Sequence, residues 1–133
     1  MFKIFNLSYY KNNLIPFLYH LNDKNEVAER HKLINKVEEH LQKSGTIILK
    51  FFLHISEKEQ KSKIEQRLSD PEKKWKYTAN DSAEAKKWDD YVSAYQQMLD
   101  GGGKHNPFVI VPADQQWYRN YLDSTAMVAA LEE

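Results

Sequence analysis

Two apolar runs set the frame of the chain. "TIILKFFLHI" at 46–55 and "PFVIVPAD" at 107–114 are rich in β-branched and aromatic residues. Both are apolar on either face, the pattern of buried parallel strands. "FKIF" at 2–5 reads as a shorter strand, and "NLSYYKNNLIPFL" at 6–18 as loop and helix with Pro16 at a turn or helix start. Elsewhere the apolar residues recur at helical spacing. Val27, Ile34, Val37 and Leu41 predict one helix over 23–45, with Gly45 as its terminator. Ser56 followed by Glu59 predicts a capping box opening a helix that ends near Asp70-Pro71. Asp81 or Ser82 is expected to cap a further helix, whose stripe is Trp88, Tyr91, Val92, Tyr95, Met98 and Leu99 and whose end is Gly101–Gly103. Residues 115–133 form a last helix. Strands alternating with helices imply an α/β fold with a parallel sheet.

The length, 133 residues, suits a single domain, 1–133, able to bury a real core. Nineteen basic residues balance nineteen acidic ones, so no global field favours nucleic acid or a membrane surface. Anion binding must then come from local clusters. With no cysteine, disulfides, thiolate metal sites and a thiol nucleophile are excluded. Lys50 interrupts the longest apolar run, which is far short of a membrane span. The N-terminus lacks a secretory pattern, and a cytoplasmic location is the expectation.

"DPEKKWKYTAND" at 70–81 is the strongest local cluster. Lys73, Lys74 and Lys76 surround Trp75 against only Asp70 and Glu72. They form either a seat for a polyanion or a solvated turn with Trp75 packed inward. Lys63 and Arg67, four apart, share a helix face. They either grip neighbouring phosphates or belong to a solvated helix interleaved with Glu57, Glu59 and Glu65. The five histidines show no metal spacing, and His54 reads as a hydrogen-bonded core residue at a strand end.

"GTIILKFFLHIS", "EQKSKIEQRLSDPEKKWKY", "AKKWDDYVSAYQQML" and "FVIVPADQQWYRN" stand in the order found in the polyphosphate kinase 2 family, which this chain resembles over nearly all its length. The resemblance implies a P-loop kinase-like fold: a parallel sheet with flanking helices and a helical lid, here over 57–80, with the sheet incomplete. It implies phosphoryl transfer between inorganic polyphosphate and nucleoside mono- or diphosphates, with magnesium (Mg2+) as cofactor and no nucleic-acid or membrane partner. Carried over by position, Arg67 and Asn6 are catalytic, with Asn6 offering a carbonyl oxygen to magnesium or a metal-bound water. Lys63, Lys73, Lys74 and Lys76 bind phosphate, and Asp114 and Trp117 border the nucleotide.

The chain also departs from the family. Leu7 stands where arginine is expected, "GGGKHNPF" replaces a hydroxyl-rich segment, and no G-x-x-x-x-G-K run occurs. The resemblance therefore places the chain as the C-terminal two-thirds of a family member, beginning at its third strand. With the family's strand order 2-3-1-4-5, the central strand would be absent. The gap then closes by direct pairing, is filled by another chain through the exposed edge (a homo-oligomer included), or leaves a marginally stable product. The activity is expected to be impaired. The rival readings are a non-catalytic polyphosphate-binding or subunit-pairing module, and a fragment with no role of its own.

Overall fold

In the computed structural model, residues 3–5, 9–11, 18–19 and 24–132 are described. They gather into two compact units, Met1–Lys50 with Asp90–Phe108, and Phe51–Asp89 with Val109–Glu133.

The first unit is built on α1, Lys24–Lys43. Its predicted stripe is only partly used. Val27 and His31 are buried, whereas Val37 and Leu41 remain 48% and 42% exposed. The polar face is laced by Glu26–Arg30 and Glu39–Lys43 ion pairs four residues apart, each at 2.7 Å. Gly45, at φ 84°, terminates the helix as expected. Helix α4, Trp88–Asp100, contributes most of its length here and buries Ala94 and Met98.

The three glycines after α4 serve packing. A side chain at Gly101 would collide with the His31 ring, and Gly103 adopts φ 77° beside Asn35. At the centre lies a polar knot. Tyr10 is fully buried and donates its hydroxyl to Asn35 Oδ1 at 3.1 Å. Lys50 Nζ, also buried, donates to Glu38 Oε2 at 2.7 Å, to Gly102 O at 2.8 Å and to the Tyr10 hydroxyl at 3.1 Å. It lies 4.9 Å and 4.7 Å from the ring centroids of Tyr10 and Phe108. All three ammonium protons are thus used. Burial, reinforced by the Glu38 carboxylate, pushes the Tyr10 phenol well above its usual range.

The second unit holds the sheet. Strands β1, Phe51–His54, and β2, Val109–Pro112, pair in parallel with Phe51 opposite Val109 and His54 opposite Pro112. Both are shorter than the sequence predicts, and they are not buried on two faces. Val111 is 1% exposed, but Leu53, Val109 and Ile110 are 46%, 44% and 58% exposed. Among the described residues no third strand covers either edge. The expected strand at 2–5 is not formed over Lys3–Phe5, where Ile4 and Phe5 are 75% and 68% exposed; residue 2 lies outside the described residues. An extended segment with no neighbour has no ladder to hold it.

Helix α2, Glu57–Ser69, follows β1 and contains no buried residue. A 3₁₀ turn, Lys74–Lys76, and helix α3, Ala79–Ala85, come next. The cap of α3 is Thr78, one turn before the expected position. Asp81 is the third helical residue and accepts the Thr78 N–H at 3.1 Å in a capping box. The predicted single helix is split, because α3 ends at Ala85 and α4 starts at Trp88. Helix α5, Gln116–Glu132, closes the unit. No helix among the described residues is long and apolar enough to cross a membrane.

Candidate functional site

In parallel α/β sheets the carboxyl ends of strands, where loops leave for the next helices, are the usual place for ligands. Here β1 and β2 run the same way, so His54 and Pro112 bring two such ends together. A cavity of about 420 Å³ opens there, lined by His54, Ser56, Pro112, Asp114, Gln115 and Tyr118. The backbone is locked beneath it, since Ala113 N–H donates to His54 O at 2.8 Å.

His54 is exposed at the cavity and lies against Phe52, ring centroids 6.1 Å apart, rather than in the core. As the last residue of a short strand it has no layer to cover it. Asp114 Oδ1 accepts the Ser56 N–H at 2.7 Å. That bond, with the nearby His54 and Lys63 charges, holds the Asp114 carboxyl below the ordinary carboxylate range. Trp117, the second residue of α5, is 69% exposed and meets Tyr118 edge-on at 5.6 Å.

The cations singled out from the sequence sit on the 57–80 segment. Lys63 pairs with Glu59 at 3.0 Å and Arg67 Nη1 with Asp81 Oδ2 at 3.7 Å. The lysine turn is organised by Asp70. Its carbonyl accepts the N–H groups of Lys73 and Lys74, Oδ1 takes the Glu72 N–H at 3.0 Å, and Oδ2 pairs with Lys73 at 2.9 Å. The Lys73 hydrogen bond, followed by that N–H, lowers the Asp70 carboxyl. Trp75 is 75% exposed rather than packed inward, and Lys76 lies 5.1 Å from its ring centroid.

None of these five cations lines the strand-end cavity, and each of Lys63, Arg67 and Lys73 faces a carboxylate. The structure therefore brings Asp114 to the cavity rim with Ser56 and His54, and keeps the basic residues on the segment beyond. Asn6 lies outside the described residues. Among the described residues no three His, Asp or Glu side chains converge.

Reading the sequence missed two partners that the structure supplies. One is Asp81, which it took as a cap alone and which also faces Arg67. The other is Glu38, the counter-charge of Lys50. A lysine inside an apolar run was the available signal, because a buried ammonium demands an acceptor.

The whole chain, residues 1–133, matches the family described as Polyphosphate kinase 2 (PPK2). The chain belongs to the polyphosphate kinase 2 family. An AMP/ADP-polyphosphate phosphotransferase of Meiothermus ruber is 38% identical over 130 residues, covering 97% of this chain and 49% of that protein. An ADP-polyphosphate phosphotransferase of Rhodopseudomonas palustris is 33% identical, with the same shares covered. The crystal structure of polyphosphate kinase 2 from Arthrobacter aurescens superposes with a TM-score of 0.88 at 36% identity, covering 92% of this chain and 44% of that one. The chain thus spans about half the length of these polyphosphate kinase 2 relatives, less than the two-thirds that the sequence resemblance implied. The fold is the kinase-like α/β fold of the family, represented by two parallel strands with their helices.

Proposed function

We propose that these residues form the lid-bearing part of a polyphosphate-dependent nucleotide phosphotransferase. The transfer would run between inorganic polyphosphate and a nucleoside mono- or diphosphate. The names of the relatives, which specify AMP, ADP and polyphosphate, support this substrate class. The observation that carries the reading is the state of the lid cations. Lys63, Arg67 and Lys73 pair with carboxylates whose side chains are 29%, 30% and 34% exposed, their own being 40%, 42% and 53% exposed. Such pairs contribute about 0–1 kcal/mol each. A chain of phosphates, carrying several charges at close spacing, can displace those carboxylates. Lys74 and Lys76 add two further exposed cations on the same turn. On this reading Arg67 stabilises charge on the transferred group, with Asn6 as its catalytic companion, while Asp114 and Trp117 lie on the nucleotide side.

Transfer needs a phosphate cradle as well as a lid. The 133 residues contain no G-x-x-x-x-G-K run. With polyphosphate, ADP or AMP and magnesium, this polypeptide alone is expected to give negligible ADP or ATP in a coupled luminescence assay. Turnover of about 1–100 s⁻¹, the ordinary kinase range, abolished by Arg67→Ala, would show that the lid residues suffice and that the cradle requirement is wrong.

A second reading, a non-catalytic polyphosphate-binding or subunit-pairing module, is favoured by the sheet. Parallel strands are normally covered on both faces. Here Ile110 and Val109 are exposed and no strand flanks the pair among the described residues. An open apolar edge recruits another chain, a second copy included. Sedimentation velocity is expected to show concentration-dependent association that Ile110→Lys weakens. A monomer at all concentrations would remove the pairing reading.

A further inference from the structure

The base of the lid is closed by the wrong carboxylate. In an ordinary capping box the third helical residue, here Glu59, returns its side chain to the N–H of the cap residue. Ser56 does its half, accepting the Glu59 N–H on Oγ at 3.1 Å. Glu59 does not reciprocate; its carboxylate is on Lys63 at 3.0 Å. The Ser56 N–H instead goes to Asp114 Oδ1, from the far side of the sheet end, at 2.7 Å. That length belongs to a charge-assisted hydrogen bond. Because α2 has no buried residue, apolar packing does not fix where the helix starts. The cap does.

We propose that Asp114 is a positioning residue for the lid. Its carboxylate ties Ser56, the cap residue at the base of the lid, to the end of β2, and by occupying the Ser56 amide it leaves Glu59 free to hold Lys63. The proposal goes beyond the phosphate reading and does not depend on it, because it concerns how the helix base is held, whatever the helix later binds. The charged groups facing Asp114 are His54 from the end of β1 and Lys63 from α2, both favouring its ionised form. The sign of the pH effect follows. A carboxyl depressed in the folded chain contributes order above the ordinary aspartate range and loses it as pH falls through the depressed value.

Amide exchange of the full chain, followed residue by residue by NMR, tests this. Asp114→Ala is expected to speed exchange of the Ser56 amide at least tenfold, while β1 and α1 amides keep their rates. Asp114→Asn, which retains a carbonyl acceptor, restores protection and removes its dependence on acid. Glu59→Ala leaves the Ser56 amide as slow as in the parent. In the unaltered chain the Ser56 amide proton shifts with a carboxyl that titrates below the usual aspartate range. Ser56 exchange that responds to Glu59→Ala and not to Asp114→Ala would overturn the proposal. So would equal loss of protection in β1, or a Ser56 amide shift that follows Glu59; the shift titration uses no variant and stands even if Asp114→Ala fails to fold.

Discussion

Lys50→Met is expected to destabilise the chain by about 3–5 kcal/mol, the cost of stranding one member of a buried ion pair. Lys50 and Glu38 side chains are 6% and 12% exposed, so water cannot replace the lost partner. Removing the ammonium takes from the Glu38 carboxylate its short charged donor, and takes the Lys50 donor from the Gly102 carbonyl and the Tyr10 hydroxyl. Asn106 Nδ2, at 3.4 Å from Glu38, is too distant to compensate. A domain of ordinary stability has about 5–15 kcal/mol in total, so the loss is a large share of it. Urea unfolding read from aromatic fluorescence measures it. The double variant Lys50→Met with Glu38→Leu should recover most of the deficit, since an apolar replacement of both partners is nearly neutral. If the double variant is no more stable than Lys50→Met, the stranded carboxylate is not the cause and the cost lies in packing around Tyr10.

Charge reversal of the lysine turn, Lys73→Glu with Lys74→Glu, is expected to weaken polyphosphate binding about tenfold or more at low salt. Each reversal replaces an attraction with a repulsion, and about 1.4 kcal/mol in sum already gives a factor of ten. The effect should shrink as salt rises, because these side chains are exposed and screened. Calorimetric titration with polyphosphate of defined length, at low and physiological salt, is the measurement. Lys61→Glu provides the comparison. It lies on α2 of the same 57–80 segment, paired with Glu57, but outside the turn. Equal losses for Lys61→Glu and the turn variant would mean that the lid attracts polyanions only through its bulk charge. No loss in the turn variant would remove the turn from the binding surface.

Much of the local structure was legible in advance. The α1 helix, the Gly45 stop, the Ser56 cap and the parallel pairing of the two apolar runs all follow from periodicity and from residues whose chemistry acts on their own neighbours. The family was legible as well, from ordered motifs along the chain. What failed involved partners distant in sequence. The capping box was read from Ser56 and Glu59, but Asp114, fifty-eight residues away, took the amide. His54 was expected inside, and Trp75 inside on one of the two readings of its turn; both are exposed.

Sequence alone determined the α1 helix and its Gly45 stop, the Ser56 start of α2, that the two long apolar runs carry the parallel strands, and which family the residues belong to, because those depend on backbone preference and on order along the chain. Only the tertiary structure decided which carboxylate each cation faces, that Lys50 is satisfied by Glu38, Tyr10 and Gly102, and that the strand faces lie open. Charge pairing and burial depend on distance in space, and a linear pattern does not encode that distance.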